Sequence, residues 1–369
     1  MAYTTIDKPG NHFKATAYTG DGSTSNEITT GHQPDFVWIK NLDATADNQW
    51  QDSARGKSGS NYQYLQSNTN IAQAAQSDDD GVNTLGSNSF TVGYTDSAGW
   101  NQNTVSYSGL SWKCNGGTEV SNTDGSITST VQVNSTNGFS MVKYTGTGSS
   151  ATIGHGLGAK PDFIISKIYS TTGDWNVYHD NFALNERIKL NSTGAKTTNT
   201  SIFAALPTST VISVGNGGDI NTSSGNHIFY CWKSVPGFSK FGYYVGNGSA
   251  TGPYQNIGFK PACLIIKRID TAADWLIFDV GRDTDNVIAT QFRPSSSAAQ
   301  DSPYEFYDFM ANGFRNKNSA TDKNASGGTY IFAAWAESPF VSSGGVAGTA
   351  RQIIKRKNEN LYKYNKGSK

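Results

Sequence analysis

Charged side chains are scarce in this chain. They make up 16% of its 369 residues, below the usual quarter, so long solvated helices are a poor fit. No sign dominates either. The formal net charge is zero, without the basic excess that a nucleic-acid binder carries. Three cysteines are too few for a disulfide scaffold; all three read as free thiols, with Cys231 and Cys263 inside apolar runs. No apolar run approaches the ~18 residues of a membrane span. The first residues show neither a basic nor an apolar leader segment, so no secretory signal is expected. The five histidines form no His-x-x-x-His pair. A Gly-x-Ser-x-Gly elbow, a Walker loop and a Cys-x-x-Cys pair are likewise missing, and no cofactor or metal is expected.

What is abundant is glycine, at 40 residues, and aromatic side chains, at 12%. Short strands joined by Gly and Asn turns match that profile. The chain also repeats itself three times. An opening run at Phe13, Phe139 and Phe241 leads to Gly20-Asp-Gly22, Gly146-Thr-Gly148 and Gly246-Asn-Gly248. Apolar runs follow Pro34, Pro161 and Pro261 and end in Lys40, Lys167 and Lys267. A turn and a Trp-led segment come next (Trp50, Trp175, Trp275), which predicts a β-hairpin. Each repeat closes on an apolar strand ending in Trp112, Trp232 or Trp335. The prolines lie 127 and 100 residues apart, the length of a small domain. The expected architecture is all-β: three repeated lectin-like or jelly-roll-like β-sandwich modules at 1–133, 134–237 and 238–351, with a basic extension at 352–369. The junction at 234–237 is short, so modules two and three should be tightly coupled. The recurring tryptophans are expected to plug a core between two sheets.

Motifs with chemical potential read mostly as framework. Gly146-Thr-Gly148 and its two counterparts read as hairpin turns, because no helix follows to face a phosphate. Asp47, Asp174 and Asp274 recur before the Trp-led strand, and Asp52, Asp180 and Asp279 after it. A catalytic acid pair normally occurs once, so threefold recurrence favours a structural role. The acidic stretch 77–83 lacks the terminal acid of a calcium loop and reads as a solvated turn. His32 and His155 occupy corresponding loops, weak support for a metal site. No catalytic residue is assigned. Trp100 and Tyr254 sit in polar loops and are the candidates for stacking on a sugar.

Residues 352–369 hold six basic residues and one acid, leaving 23 basic against 28 acidic in the body. Ile353, Ile354, Lys355, Arg356, Lys357 and Tyr362 are the candidates for docking this extension on an acidic partner surface.

The phrases Tyr18 to Gly22, Gly31 to Lys40, Asn122 to Ser129, Gly154 to Phe163 and Tyr330 to Phe340 resemble a family of bacteriophage virion proteins found in marine phage genomes. The resemblance runs over about 1–351. It implies a tail-fibre-like, receptor-binding or surface-decorating role and lectin-like sandwich modules, and it supplies no catalytic residues. The basic extension is not part of that pattern. The expectation is a non-enzymatic virion protein made in the host cytoplasm, homo-oligomeric, contacting other virion proteins and a host-surface glycan, with no nucleic-acid partner. Rival readings are a capsid cement protein, a tail polysaccharide-degrading enzyme and a carbohydrate-binding module.

Overall fold

The computed structural model describes residues 3–76, 79–94, 98–302 and 304–349. The fold is all-β, with antiparallel strands; the helices among the described residues are a 3-10 turn at Pro9–Asn11 and two four-residue segments at Gly218–Asn221 and Thr321–Asn324.

One strand order occurs three times: opening strand, closing strand, post-proline strand, hairpin partner. In the first large sheet these are Phe13–Thr19, Ser106–Trp112, Phe36–Asn41 and Gln49–Asp52. The second uses Phe139–Thr145, Asn226–Trp232, Phe163–Ile168 and Asn176–His179. The third uses Ser239–Val245, Thr329–Pro339, Phe259–Arg268 and Trp275–Asp279. The predicted hairpins are formed in all three. The strands Val120–Asn122 and Ser129–Asn134, assigned to the first module from sequence, pair in succession onto Phe139–Thr145 and so belong to the second sheet.

Each large sheet packs one face against a smaller sheet of its own, which gives three sandwich-like units. Val37, Ile39 and Tyr107 meet Ile28, Val82, Phe90 and Val92. Ile164, Phe229 and Cys231 meet Ile153, Ile212 and Val214. Leu264, Ile266 and Phe332 meet Phe309 and Phe314.

The other face of each large sheet is also buried, against the other two large sheets. Here the structure corrects the sequence reading. Trp112, Trp232 and Trp335 do not plug the sandwich cores. They meet one another in a fourth core shared by the three sheets, with ring centroids 5.2–6.0 Å apart. Trp50, Trp175 and Trp275 lie in the same core. The cause is the two-residue period of a strand. Phe229 and Cys231 point to the sandwich, so Ile228, Tyr230 and Trp232 must point to the centre.

The three Gly-x-Gly segments are also corrected. They are not hairpin turns. The strands on either side lie in different sheets, so each segment carries the chain from a large sheet to its small one. A Cβ on Gly20, Gly146 or Gly246 would overlap the carbonyl oxygen of Gln102, Thr222 or Ala325. Two residues on, Gly22, Gly148 and Gly248 take φ of 71°, 76° and 69°. A fully buried asparagine clasps each corner. Asn101, Asn221 and Asn324 accept these glycine N–H groups on their main-chain oxygens at 2.8–3.0 Å. Their Oδ1 atoms accept the N–H of Asp21, Thr147 and Asn247. Beneath each corner two rings stack at 4.9–5.1 Å: Tyr18 on Tyr107, Tyr144 on His227, Tyr244 on Tyr330. Because the obstructing atom is backbone, Gly146→Ala should cost more than about 1 kcal/mol. Gly10, with nothing within 4 Å, is the control. Urea unfolding midpoints of the two alanine variants check this; equal midpoints would refute it.

Candidate functional site

The candidate residues are best judged by what they hold. Lys40, Lys167 and Lys267 end the post-proline strands and are fully buried. Each ammonium donates to a carbonyl six residues on, in its own hairpin loop: Ala46, Gly173 and Ala273 at 2.5–2.8 Å. Each also donates to a carbonyl from another unit: Lys40 to Ser297, Lys167 to Asn70, Lys267 to Thr193, at 2.8–3.1 Å. Main-chain bonds reinforce each junction. Ala46 N–H donates to Ser297, Gly173 N–H to Asn70 and Ala273 N–H to Thr193. Return bonds run from Gln300 to Leu42, Gln73 to Tyr169 and Lys196 to Ile269. The contacts close a ring: third unit to first, first to second, second to third. Burial pushes each of these lysines down to about 8.

The recurring carboxylates act in the same way. Asp52 pairs with Arg55 and Asp279 with Arg282, both at 2.6 Å and almost fully buried. Tyr230 of the second unit donates to Asp52 at 2.7 Å, and Ser108 of the first to Asp279 at 3.3 Å. Asp180 is not their counterpart. The register places His179 opposite Phe163 as Asp52 stands opposite Phe36 and Asp279 opposite Cys263. His179 is buried near the Phe332 carbonyl of the third unit, and burial pushes it down to about 4. Asp180 instead pairs with Lys160 at the surface. Asp174 pairs with Lys189, Asp274 with Arg293, and Asp47 accepts from Asn68. These acids are committed to cations and amides rather than gathered around one reacting position.

Trp100 is corrected. Its ring is fully buried in the first sandwich core, and its Nε1 donates to Gln51 at 3.2 Å, so no face is open for a sugar. Tyr254 is half-buried on the strand Tyr254–Asn256, its hydroxyl on Asn312 and the Arg315 guanidinium 6.0 Å from its ring. The acidic stretch is not simply a solvated turn, since Asp80 is fully buried and Gly81 takes φ of 89°. His32 and His155 sit on backbone groups of separate units. Among the described residues no three His, Cys, Asp or Glu side chains are grouped to hold a metal. All three cysteines are buried and free. No helix among the described residues is long and apolar enough to cross a membrane. Ile353, Ile354, Lys355, Arg356, Lys357 and Tyr362 lie outside the described residues.

Sequence reasoning missed two surface cavities. One, of about 420 Å³, is lined by Thr5, Ser135, Thr136 and residues 233–236. The other, of about 250 Å³, is lined by Arg187, Lys189, Ser192, Gly194, Ala195 and Thr197. Neither draws on the recurring phrases, so repeat analysis had no signal for them.

Fold and sites together define an all-β protein of three sandwich-like units joined in a ring around one aromatic core. The chain belongs to the family described as Domain of unknown function (DUF7483), matched over residues 8–339. That span runs from before Phe13–Thr19 to the end of Thr329–Pro339; the family pattern therefore takes in all three units and the core between them. No curated protein matches the chain.

Proposed function

We propose that this protein is a non-enzymatic virion component of the tail-fibre or receptor-binding kind, a rigid body that presents surface loops to a host surface. The observation that carries this reading is the use of the recurring charged residues. Lys40, Lys167 and Lys267, and Asp52 and Asp279, are buried and spent on joining one unit to the next. A body tied together in this way suits presentation of loops on a fixed frame. The resemblance to marine phage virion proteins supports the same role. Assembly into a homo-oligomer and contact with other virion proteins belong to this reading.

Immunogold electron microscopy on intact, purified particles tests it. Label at the tail or fibre tips is expected. Label spread evenly over the capsid would replace this reading with a cement role. Particles without label, from cells that make the protein, would overturn a virion role. Incubation with envelope polysaccharide is expected to release no new reducing ends.

A further inference from the structure

We propose that the cavity bounded by Arg187, Lys189, Ser192 and Thr197 binds a carboxylate group, with Arg187 as its anchor. The cavity's volume of about 250 Å³ falls below the roughly 300–1,000 Å³ typical of drug-sized ligands, which restricts it to a single small acid or one acidic sugar. The proposal is independent of the virion reading, because it concerns only local charge.

That charge is unbalanced. Asp174 is taken by Lys189 and by the Asn191 amide. Glu186 is taken by Lys196 at 2.6 Å and by the Ala183 N–H. Arg187 makes no direct ion pair among the described residues; Asp174, which it influences at longer range, is already bound to Lys189. The arginine donates through Nη1 to the neutral Asn176 side chain, while its Nε–H is buried without an acceptor. A guanidinium donates strong charge-assisted hydrogen bonds to a carboxylate, and with Nη1 on Asn176 and Nε buried it is the Nη2 edge that is left for one. Ser192, Gly194, Ala195 and Thr197 complete the cavity wall, with the Ser192 hydroxyl accepting the Gly194 N–H.

The other two units show that the cation is not required by the fold. Asn176 stands opposite Ser166 as Gln49 stands opposite Ile39, and it pairs with Lys189 as Gln49 pairs with Gln66, so Tyr64 stands where Arg187 stands. Val177 pairs with Ile188 as Ile277 bridges Phe292, so Gln291 is the third equivalent. Gln291 donates to Asp301, an acid that also pairs with Arg293. The same strand position thus accepts tyrosine, glutamine or arginine, and in the second unit it places an arginine on a cavity wall.

The test is titration of the full chain, by calorimetry and by NMR, with sodium glucuronate, sodium acetate and glucose. Saturable millimolar binding of glucuronate is expected, with no saturable binding of glucose. Arg187→Gln and Arg187→Tyr copy the equivalent positions, so both should fold, as circular dichroism and the thermal midpoint will show. Each should weaken glucuronate at least tenfold. Glucuronate tighter than acetate would assign a sugar acid; equal affinities would assign a bare carboxylate, and both results support the site. No saturable binding of either acid to the unmodified chain, glucose bound as well as glucuronate, or unchanged affinity in folded Arg187 variants would overturn it.

Discussion

Trp232→Ala should destabilise the entire protein, by about 3–5 kcal/mol, the range for deleting a large buried aromatic. The indole touches Trp112 and Trp335 at 6.0 and 5.8 Å and stacks on Phe139 at 5.0 Å. Its neighbours come from three sheets that also hold one another, so the cavity has little freedom to collapse. The same loss is expected for Trp112→Ala and Trp335→Ala. Substitution by phenylalanine should cost much less. The Nε1 groups of all three indoles have no acceptor, so no hydrogen bond is lost, and edge-to-face packing is retained by a phenyl ring. Urea unfolding followed by circular dichroism checks both halves. The decisive observation is reach: unfolding of residues far from Trp232, such as the Tyr244–Tyr330 stack, should shift by the same amount. A change confined to the second unit would contradict this.

The second large effect depends on pH. Lys40, Lys167 and Lys267 are lowered from an ordinary value of 10.5 to about 8 by burial. Between those values the unfolded chain binds more protons than the folded one, so their contribution to stability rises with pH. From pH 7.5 to 9.5 each lysine should add about 2 kcal/mol. The raw profile will understate this. Burial raises the thiols of Cys114, Cys231 and Cys263, so the unfolded chain ionises them first and stability falls above about pH 8.5. The difference between the unmodified chain and Lys167→Met isolates the lysine, because the thiols are common to both. That difference should shift by about 2 kcal/mol in favour of the unmodified chain over this interval. A constant difference would mean that Lys167 titrates near its ordinary value and that its burial carries no electrostatic cost.

Much of the strand framework was legible because its signals are local. Phe36 to Ile39, Phe163 to Ile165 and Leu264 to Ile266 are β-branched or aromatic runs after a proline, and they form inner strands. The destination of the tryptophans was not legible. A strand buried on both faces reads as an unbroken apolar run, so Phe229, Tyr230, Cys231 and Trp232 give no hint of which side is which. The lysines recurred visibly, yet lysine is rarely fully buried unless paired, and its partners here are carbonyls. Main-chain acceptors such as Ser297, Asn70 and Thr193 leave no mark on side-chain identity, so the ring of contacts has no sequence signature. The clasping asparagines were hidden likewise: Trp100, Ile220 and Lys323 precede them and share nothing. Arg187 lies outside every repeated phrase, and its meaning came only from the register that aligned it with Tyr64 and Gln291.

Differential scanning calorimetry of the intact chain tests the central claim that three sandwich-like units form one cooperative body. A ring of contacts and a shared aromatic core predict a single endotherm, with equal calorimetric and van't Hoff enthalpies. Resolved transitions, or a calorimetric enthalpy about three times the van't Hoff value, would show units that unfold independently and would contradict the account.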